Sequence, residues 1–197
     1  MENNYQYVDP DFEYTNKNGV LHNLANIDDE KILLAFESLK VSKRVEELYE
    51  NPIQITDSYT LLKIHFHLFQ DVYKWAGQLR TVNISKDGKP FFEGERFPLA
   101  FQYIDTLIAE YRETEKSNKK DLAKKLAEIL DNVNFLHPFR EGNGRTQREF
   151  LRLLALEKEL TLNLNPPDNK SIYERYMKGT IESDVNTLSL LLYELIS

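Results

Sequence analysis

Residues 137–148 read HPFREGNGRTQR and run almost directly into an apolar stretch, FLRLLALE at 150–157. Gly142, Asn143 and Gly144 at the entrance to a helix permit backbone angles closed to other residues and let a ligand approach the main-chain amides. First-turn N–H groups and the helix dipole make such an entrance an anion site. Arg145 and Arg148, three apart, fall on neighbouring positions of the first turns, and their planar forks suit phosphate oxygens. Together these features suggest a polyphosphate. Glu141 beside them is a carboxylate that needs a cation between it and the anion; Mg²⁺ fits, since it takes one or two carboxylates and fills its other positions with phosphate oxygens and water. His137 is the nearby side chain whose ordinary pKa lets it accept a proton near neutral pH. A base, a metal ligand and a phosphate cradle so close together describe nucleotidyl or phosphoryl transfer to a hydroxyl. Each has a plainer reading on its own: a structural histidine, a turn, a solvated helix face. No turn requires all of them in one string. Pro138 and Phe139 read as packing that fixes the loop.

Helices have to hold this loop. Apolar Ile32, Leu33, Phe36, Leu39, Val45 and Leu48 recur at helical spacing from Asp28 to about Glu50, and Asn51-Pro52 stops them. A largely buried helix is expected from Thr56 or Asp57, either able to cap it, through Leu61, Ile64, Leu68 and Trp75 to Gly77. His65 and His67 lie two apart on it and point in different directions, poor geometry for a shared metal. Residues 78–96 break the helical period. LRTVNIS alternates, Asp87-Gly88 favours a tight turn, and Phe91-Phe92 resume an extended segment, so this is a hairpin. Further helices are expected at 97–113, 119–135 and 144–160, the last running through the core, and near 168–178 and 184–196. Arg152 reads as a salt-bridge partner of Glu149 or another acid. Residues 1–26, with a turn at NKNG (16–19), form an irregular arm tied down by its aromatics, and 27–197 form one mainly α domain with the small β-hairpin.

Composition narrows the class. At 197 residues and 41% hydrophobic content the chain can bury a genuine core. It has no cysteine, so thiolate chemistry and disulfides are excluded and any metal is held by oxygen or by one of four histidines. Thirty-two acidic against 25 basic residues give a net charge of -7, which argues against direct nucleic-acid binding. MENNYQYVDPDFEY has neither a basic nor an apolar leader segment and no window suits a membrane span, so a cytoplasmic protein is expected, or one delivered to another cell.

HPFREGNGRTQR resembles, without a departure, the signature of the Fic family, HPFx(D/E)GNGRxxR. The resemblance implies a mainly α fold and transfer of AMP from ATP to a Tyr, Thr or Ser hydroxyl of a target protein, releasing pyrophosphate. It implies His137 as the base, Glu141 as the Mg²⁺ ligand, the amides and side chain of Gly142, Asn143 and Gly144 on the phosphates, and Arg145 and Arg148 on the phosphate tail. It also makes the hairpin a flap, about 83–92, on which Asn83, Ile84, Ser85, Lys86 and Pro90 pair with the target as an added strand; the alternative is an ordinary connection whose edge Lys86, Lys89 and Pro90 protect.

Many members carry an inhibitory helix, (S/T)xxxE(G/N), whose glutamate covers the second motif arginine. Ser42 to Glu46 has the spacing but is followed by Glu47, and the tail after Asp184 has no such element. The chain therefore resembles toxin-type bacterial members restrained by a separate small antitoxin that supplies a glutamate near Arg148. Other donors remain open, namely UMP, phosphocholine or a transferred phosphate, although Gly144 disfavours the Doc-like branch. A module that senses nucleotide without chemistry is the alternative from another class. Tyr173, Tyr176 and Met177 either line an adenine pocket or pack in the core.

Overall fold

The structure, a computed structural model, describes residues 5–7, 13–86, 88–166 and 168–197. Helices α1 (Glu30–Glu50), α2 (Thr60–Phe69), α3 (Phe97–Glu113), α4 (Lys119–Leu136), α5 (Asn143–Glu157), α6 (Lys170–Glu182) and α7 (Val185–Leu195) build it, with short strands β1 (Tyr5–Tyr7), β2 (Ile84–Lys86) and β3 (Lys89–Pro90) on one side. At the centre stands α4, which presents Leu122, Leu126, Ile129, Leu130 and Val133 at helical spacing, all buried, and packs against α3, α5 and α7. Asn118 starts it by accepting from the Asp121 N–H at 3.3 Å, as Asp29 starts α1 by accepting from the Ile32 N–H at 3.0 Å. Phe150, Leu151, Leu154 and Ala155 carry α5 through the same core, as its composition requires. The Arg152 Nε donates to Glu149 at 2.8 Å, so this pair one turn apart neutralises itself inside.

Helix α2 is shorter than its apolar spacing predicts, and neither Thr56 nor Asp57 caps it. The Ser58 N–H donates to Asp105 at 2.6 Å and its hydroxyl to the Phe101 carbonyl at 3.0 Å, which ties the entrance to α3 and delays the first turn to Thr60. At the other end Asp71 accepts both Nε and Nη2 of Arg44, at 2.8 and 2.9 Å, and the Val72 carbonyl accepts the Leu24 N–H. The Leu24 bond takes a backbone carbonyl that a continued helix would use, the Arg44 pair fixes the Asp71 side chain, and residues 70–77 make turns instead. Trp75 and Gly77 therefore lie in the turns that follow the helix.

The hairpin is also shorter than the alternation LRTVNIS suggests. Strand pairing is confined to Ser85↔Pro90 and Lys86↔Lys89 around the turn at Gly88; Asp87 lies outside the described residues. The arm departs from an irregular segment, because β1 pairs antiparallel on the other side of β2, with Gln6 opposite Ser85, in the order β1-β2-β3. Residues 1–4 and 8–12 of the arm lie outside the described residues. The turn at 16–19 forms as expected, with Asn16 Oδ1 accepting the N–H groups of Asn18 and Val20, and the Tyr14 ring meets Trp75 edge-on at 5.7 Å.

Replacing Leu130 by Ala, which empties a fully buried position on the helix at the centre of the core, is expected to cost about 2–5 kcal/mol in urea unfolding. A loss below ~1 kcal/mol would mean that α4 is not the centre of the core.

Candidate active site

Six residues, 137–142, join α4 to α5. His137 ends α4 in the left-handed region (φ 43°), a conformation a non-glycine residue adopts at a cost of about 1–2 kcal/mol. Its Nδ1 lies 3.1 Å from the Asn134 carbonyl. A carbonyl only accepts, so Nδ1 carries the proton and Nε2 carries the lone pair, the tautomer that a proton acceptor needs. The ring is almost wholly buried, with Phe91 from the hairpin stacked on it, centroids 3.8 Å apart.

Beyond His137 the loop closes on itself. Asn143 Oδ1 accepts the Phe139 N–H at 2.9 Å and its Nδ2 donates to the Phe139 carbonyl at 2.7 Å. The side chain expected on a phosphate is thus engaged in bracing the loop, and what Asn143 presents at the helix mouth is its main-chain N–H. Gly142 has φ 81°, and a Cβ there would sit 2.4 Å from the Phe69 ring. Gly144 has ordinary angles, and a Cβ on it would only touch Arg148 Nη1 at 3.4 Å, an ordinary contact. Thr146 is the first α5 residue to bond back, to the Gly142 carbonyl at 3.0 Å, so the amides before it face the loop's open side.

Glu141 accepts the Gly142 N–H on Oε1 at 2.8 Å and stands 3.5 Å from Arg145, its carboxylate partly exposed. Its carbonyl takes the Nε2–H of His65 at 3.0 Å, and His65 Nδ1 accepts the Gly77 N–H at 2.8 Å. Both nitrogens are therefore committed, in the tautomer opposite to that of His137. His65 lies flat against Phe139 and Phe69, at 3.9 and 4.6 Å, and burial pushes its pKa down to about 3, so it is neutral at physiological pH. His67 bonds away from the site, to the Arg44 carbonyl.

The two arginines differ. Arg145 meets Glu37 at 2.6 Å and lies over the Phe69 ring at 4.7 Å. Glu37 itself is buried and also accepts the Tyr73 hydroxyl, whose pKa burial and that carboxylate push up. Arg148 forms no ion pair among the described residues and rests against the rings of Tyr173 and Tyr176, at 5.5 and 5.6 Å. Cavities flank the first turns of α5. One, of about 340 Å³, is lined by Phe91, His137, Gly144, Gln147, Tyr176 and Met177. The other, about 540 Å³, is a groove between α1 and α5 lined by Ser42, Glu46, Tyr49, Arg145, Arg148 and Arg152.

The structure thus brings His137, Glu141, Gly142, Gly144, Arg145 and Arg148 to one helix mouth. The hairpin reaches them through Phe91, while Ile84 turns into the body and the Asn83 Oδ1 lies toward Arg80 and the Gly94 N–H at 3.4 Å. Sequence reasoning missed Glu37, His65, Tyr73 and Phe91 as parts of this site. A histidine inside an otherwise apolar helical stripe was the available signal, since buried, its two nitrogens had to find partners. Glu37, far off in sequence, offered none.

The Fic/DOC family profile matches residues 55–155. Protein adenylyltransferase VbhT of Bartonella schoenbuchensis is 36% identical over 155 residues, covering 78% of this chain and 31% of that protein. Probable protein adenylyltransferase y4lH of Sinorhizobium fredii is 34% identical and covers 89% of each chain. Among solved structures, the BepC protein of Bartonella tribocorum with bound AMPPNP superposes with a TM-score of 0.80 at 21% identity, over 94% of this chain and 97% of that one. The chain thus spans about a third of the first relative's length and most of the second's.

Gly142→Ala combines a positive φ with a collision against Phe69 and is expected to cost roughly 2 kcal/mol or more in chemical denaturation. Gly144→Ala, with only a flexible guanidinium to push aside, is expected to stay within about 1 kcal/mol of the parent. Equal losses would disprove this account of the loop.

Proposed function

The chain belongs to the Fic/DOC family, and from that premise we propose that it is a protein adenylyltransferase, moving AMP from ATP to a Tyr, Thr or Ser hydroxyl of a target protein and releasing pyrophosphate. The observation that carries this reading is the His137 tautomer, which puts the lone pair on Nε2 of a ring lining one cavity together with Gly144 of the α5 mouth. In the proposed reaction Nε2 takes the proton of the acceptor hydroxyl. The oxygen then bonds to the α-phosphorus, and the bond from that phosphorus to the bridging oxygen of the β-phosphate breaks, with the electron pair leaving on pyrophosphate. The main-chain N–H groups of Asn143 and Gly144, the first turn of α5 and the two arginines are suited to hold the phosphate oxygens through this change. The cavity with Phe91, Tyr176 and Met177 suits the adenine, with Tyr176 buried as its back wall.

Mg²⁺ fits the donor set on one condition. Among the described residues no group of three or more acids, histidines or cysteines could cage a cation, so Glu141 would be a lone protein carboxylate and the phosphates must complete the shell. When bound, the ion would offset phosphate charge and favour departure of pyrophosphate.

Regulation in trans belongs to the same reading. Arg148 lines the groove between α1 and α5, and a small antitoxin placing a glutamate there would occupy the terminal-phosphate position. Action in the cytoplasm, or after delivery to another cell, also belongs to the proposal; among the described residues no helix is long and apolar enough to cross a membrane.

Purified protein with Mg²⁺ is expected to transfer label from α-labelled but not γ-labelled ATP to a protein band of a bacterial lysate, and His137→Ala to lower the rate about 10²–10⁴-fold. Label from the γ position, or equal rates in the variant, would remove the proposal.

The flap, 83–92, is the proposed landing site for the target strand, along Asn83, Ile84, Ser85, Lys86 and Pro90. Strand β2 is flanked by β3 and β1, and on β3 Pro90 offers no N–H, so the target is expected to displace β1. A chain beginning at Glu13 should then label its target several-fold faster in the same assay. An unchanged or slower rate would place the target elsewhere.

A further inference from the structure

Arg80 stands four residues beyond Ala76, in the connection from α2 to the hairpin, and is 4% exposed. Among the described residues it forms no ion pair. Its Nε donates to the His137 carbonyl at 2.9 Å, Nη1 donates to the Val82 carbonyl at 2.7 Å and lies 3.4 Å from Asn83 Oδ1, and Nη2 donates to the Phe92 carbonyl. The Phe97 ring covers the guanidinium at 4.9 Å, and the Arg80 main-chain N–H donates to the Pro138 carbonyl at 2.8 Å. Burial pushes its pKa down to about 10, so the cation persists at neutral pH although it is balanced by carbonyl dipoles and one ring face, with no carboxylate among the described residues.

Those acceptors are not a random set. Val82 and Phe92 are the residues by which the chain enters and leaves the hairpin, and His137 is the residue held at positive φ. Burying a charge without a carboxylate is costly, and a packing role would be filled at less cost by an apolar side chain. What a guanidinium adds is a rigid planar fork that fixes the angles between groups from separate segments; an ammonium is a point charge and cannot. We infer that Arg80 is a positioning residue, locking both stems of the hairpin to the strained His137 peptide so that the imidazole and Phe91 keep one stacked geometry. The hairpin and the base then move as a unit, and a ligand that shifts the hairpin shifts His137 with it.

The inference rests on His137 being the base, and the test separates the two. In Arg80→Lys, amide hydrogen exchange is expected to quicken at least tenfold in residues 84–92 and 137–141 and to stay unchanged in α7. The rate constant for AMP transfer should fall about 10²-fold while the Kd of Mg-ATP, by calorimetry, changes less than threefold. Phe97→Leu, which takes the ring off the guanidinium and leaves every carbonyl in place, should show the same pattern at smaller amplitude and decides the matter if the lysine variant does not fold. Parental exchange in the hairpin, or transfer and ATP binding lost in parallel, overturns the inference. If the parent and His137→Ala label equally, the reading of the base fails instead, and the exchange rates alone judge Arg80.

Discussion

The constraint on which this structure depends is that α4 must end and α5 begin inside the core. A six-residue connection between two buried helices carries orphaned carbonyls from one and orphaned amides from the other, with little water to satisfy them. Nearly every unusual feature of the site is a solution to that problem. His137 turns left-handed and bonds back to Asn134, the Asn143 amide closes the loop on Phe139, Gly142 turns left-handed again, and His65 reaches from α2 to the Glu141 carbonyl. The geometry of the proposed site is inherited from this accounting. The bond that relieves the helix end also sets the tautomer of the proposed base, and the glycine that clears Phe69 is what aims the α5 amides outward.

How much of this was legible in the sequence follows from the range of the interactions. The loop could be read because its requirements are local: αL positions, small residues at a helix mouth and arginines one turn apart all show within a dozen residues. Helices α3, α4 and α7 were legible for the same reason, their 3.6-residue stripes being self-contained. What failed was decided at a distance. The start of α2 is set by Asp105 and its end by Leu24, and the hairpin stops short because Arg80, which looks like an outward residue of an alternating strand, is turned inward onto carbonyls 57 and 12 residues away. A periodicity argument sees neither.

Of the site's supports, Glu37 shows most clearly why a motif is an incomplete description. It comes from α1, some hundred residues before the loop, and neutralises Arg145 from behind while taking a hydroxyl from Tyr73. Buried acid, phenol and guanidinium form a satisfied network, which makes the orientation of Arg145 a property of three segments. The short signature carries the chemistry, and remote residues carry its precision.

The arginines also explain how an acidic chain can hold a polyanion. With a net charge of -7 the long-range field repels phosphate, so attraction has to be local and desolvated. Arg145 is largely offset by Glu37 and Glu141, and its role is orientation as much as charge. Arg148 has no carboxylate paired with it among the described residues; it meets Tyr176 and the Tyr173 ring, and rings lower the cost of drying the cation without cancelling its field. The strongest uncompensated attraction at the mouth of α5 is consequently at Arg148, on the side that opens to the α1 groove. In the proposed reading, a terminal phosphate and a partner's carboxylate would compete for that one place, which is where the site would be switched off.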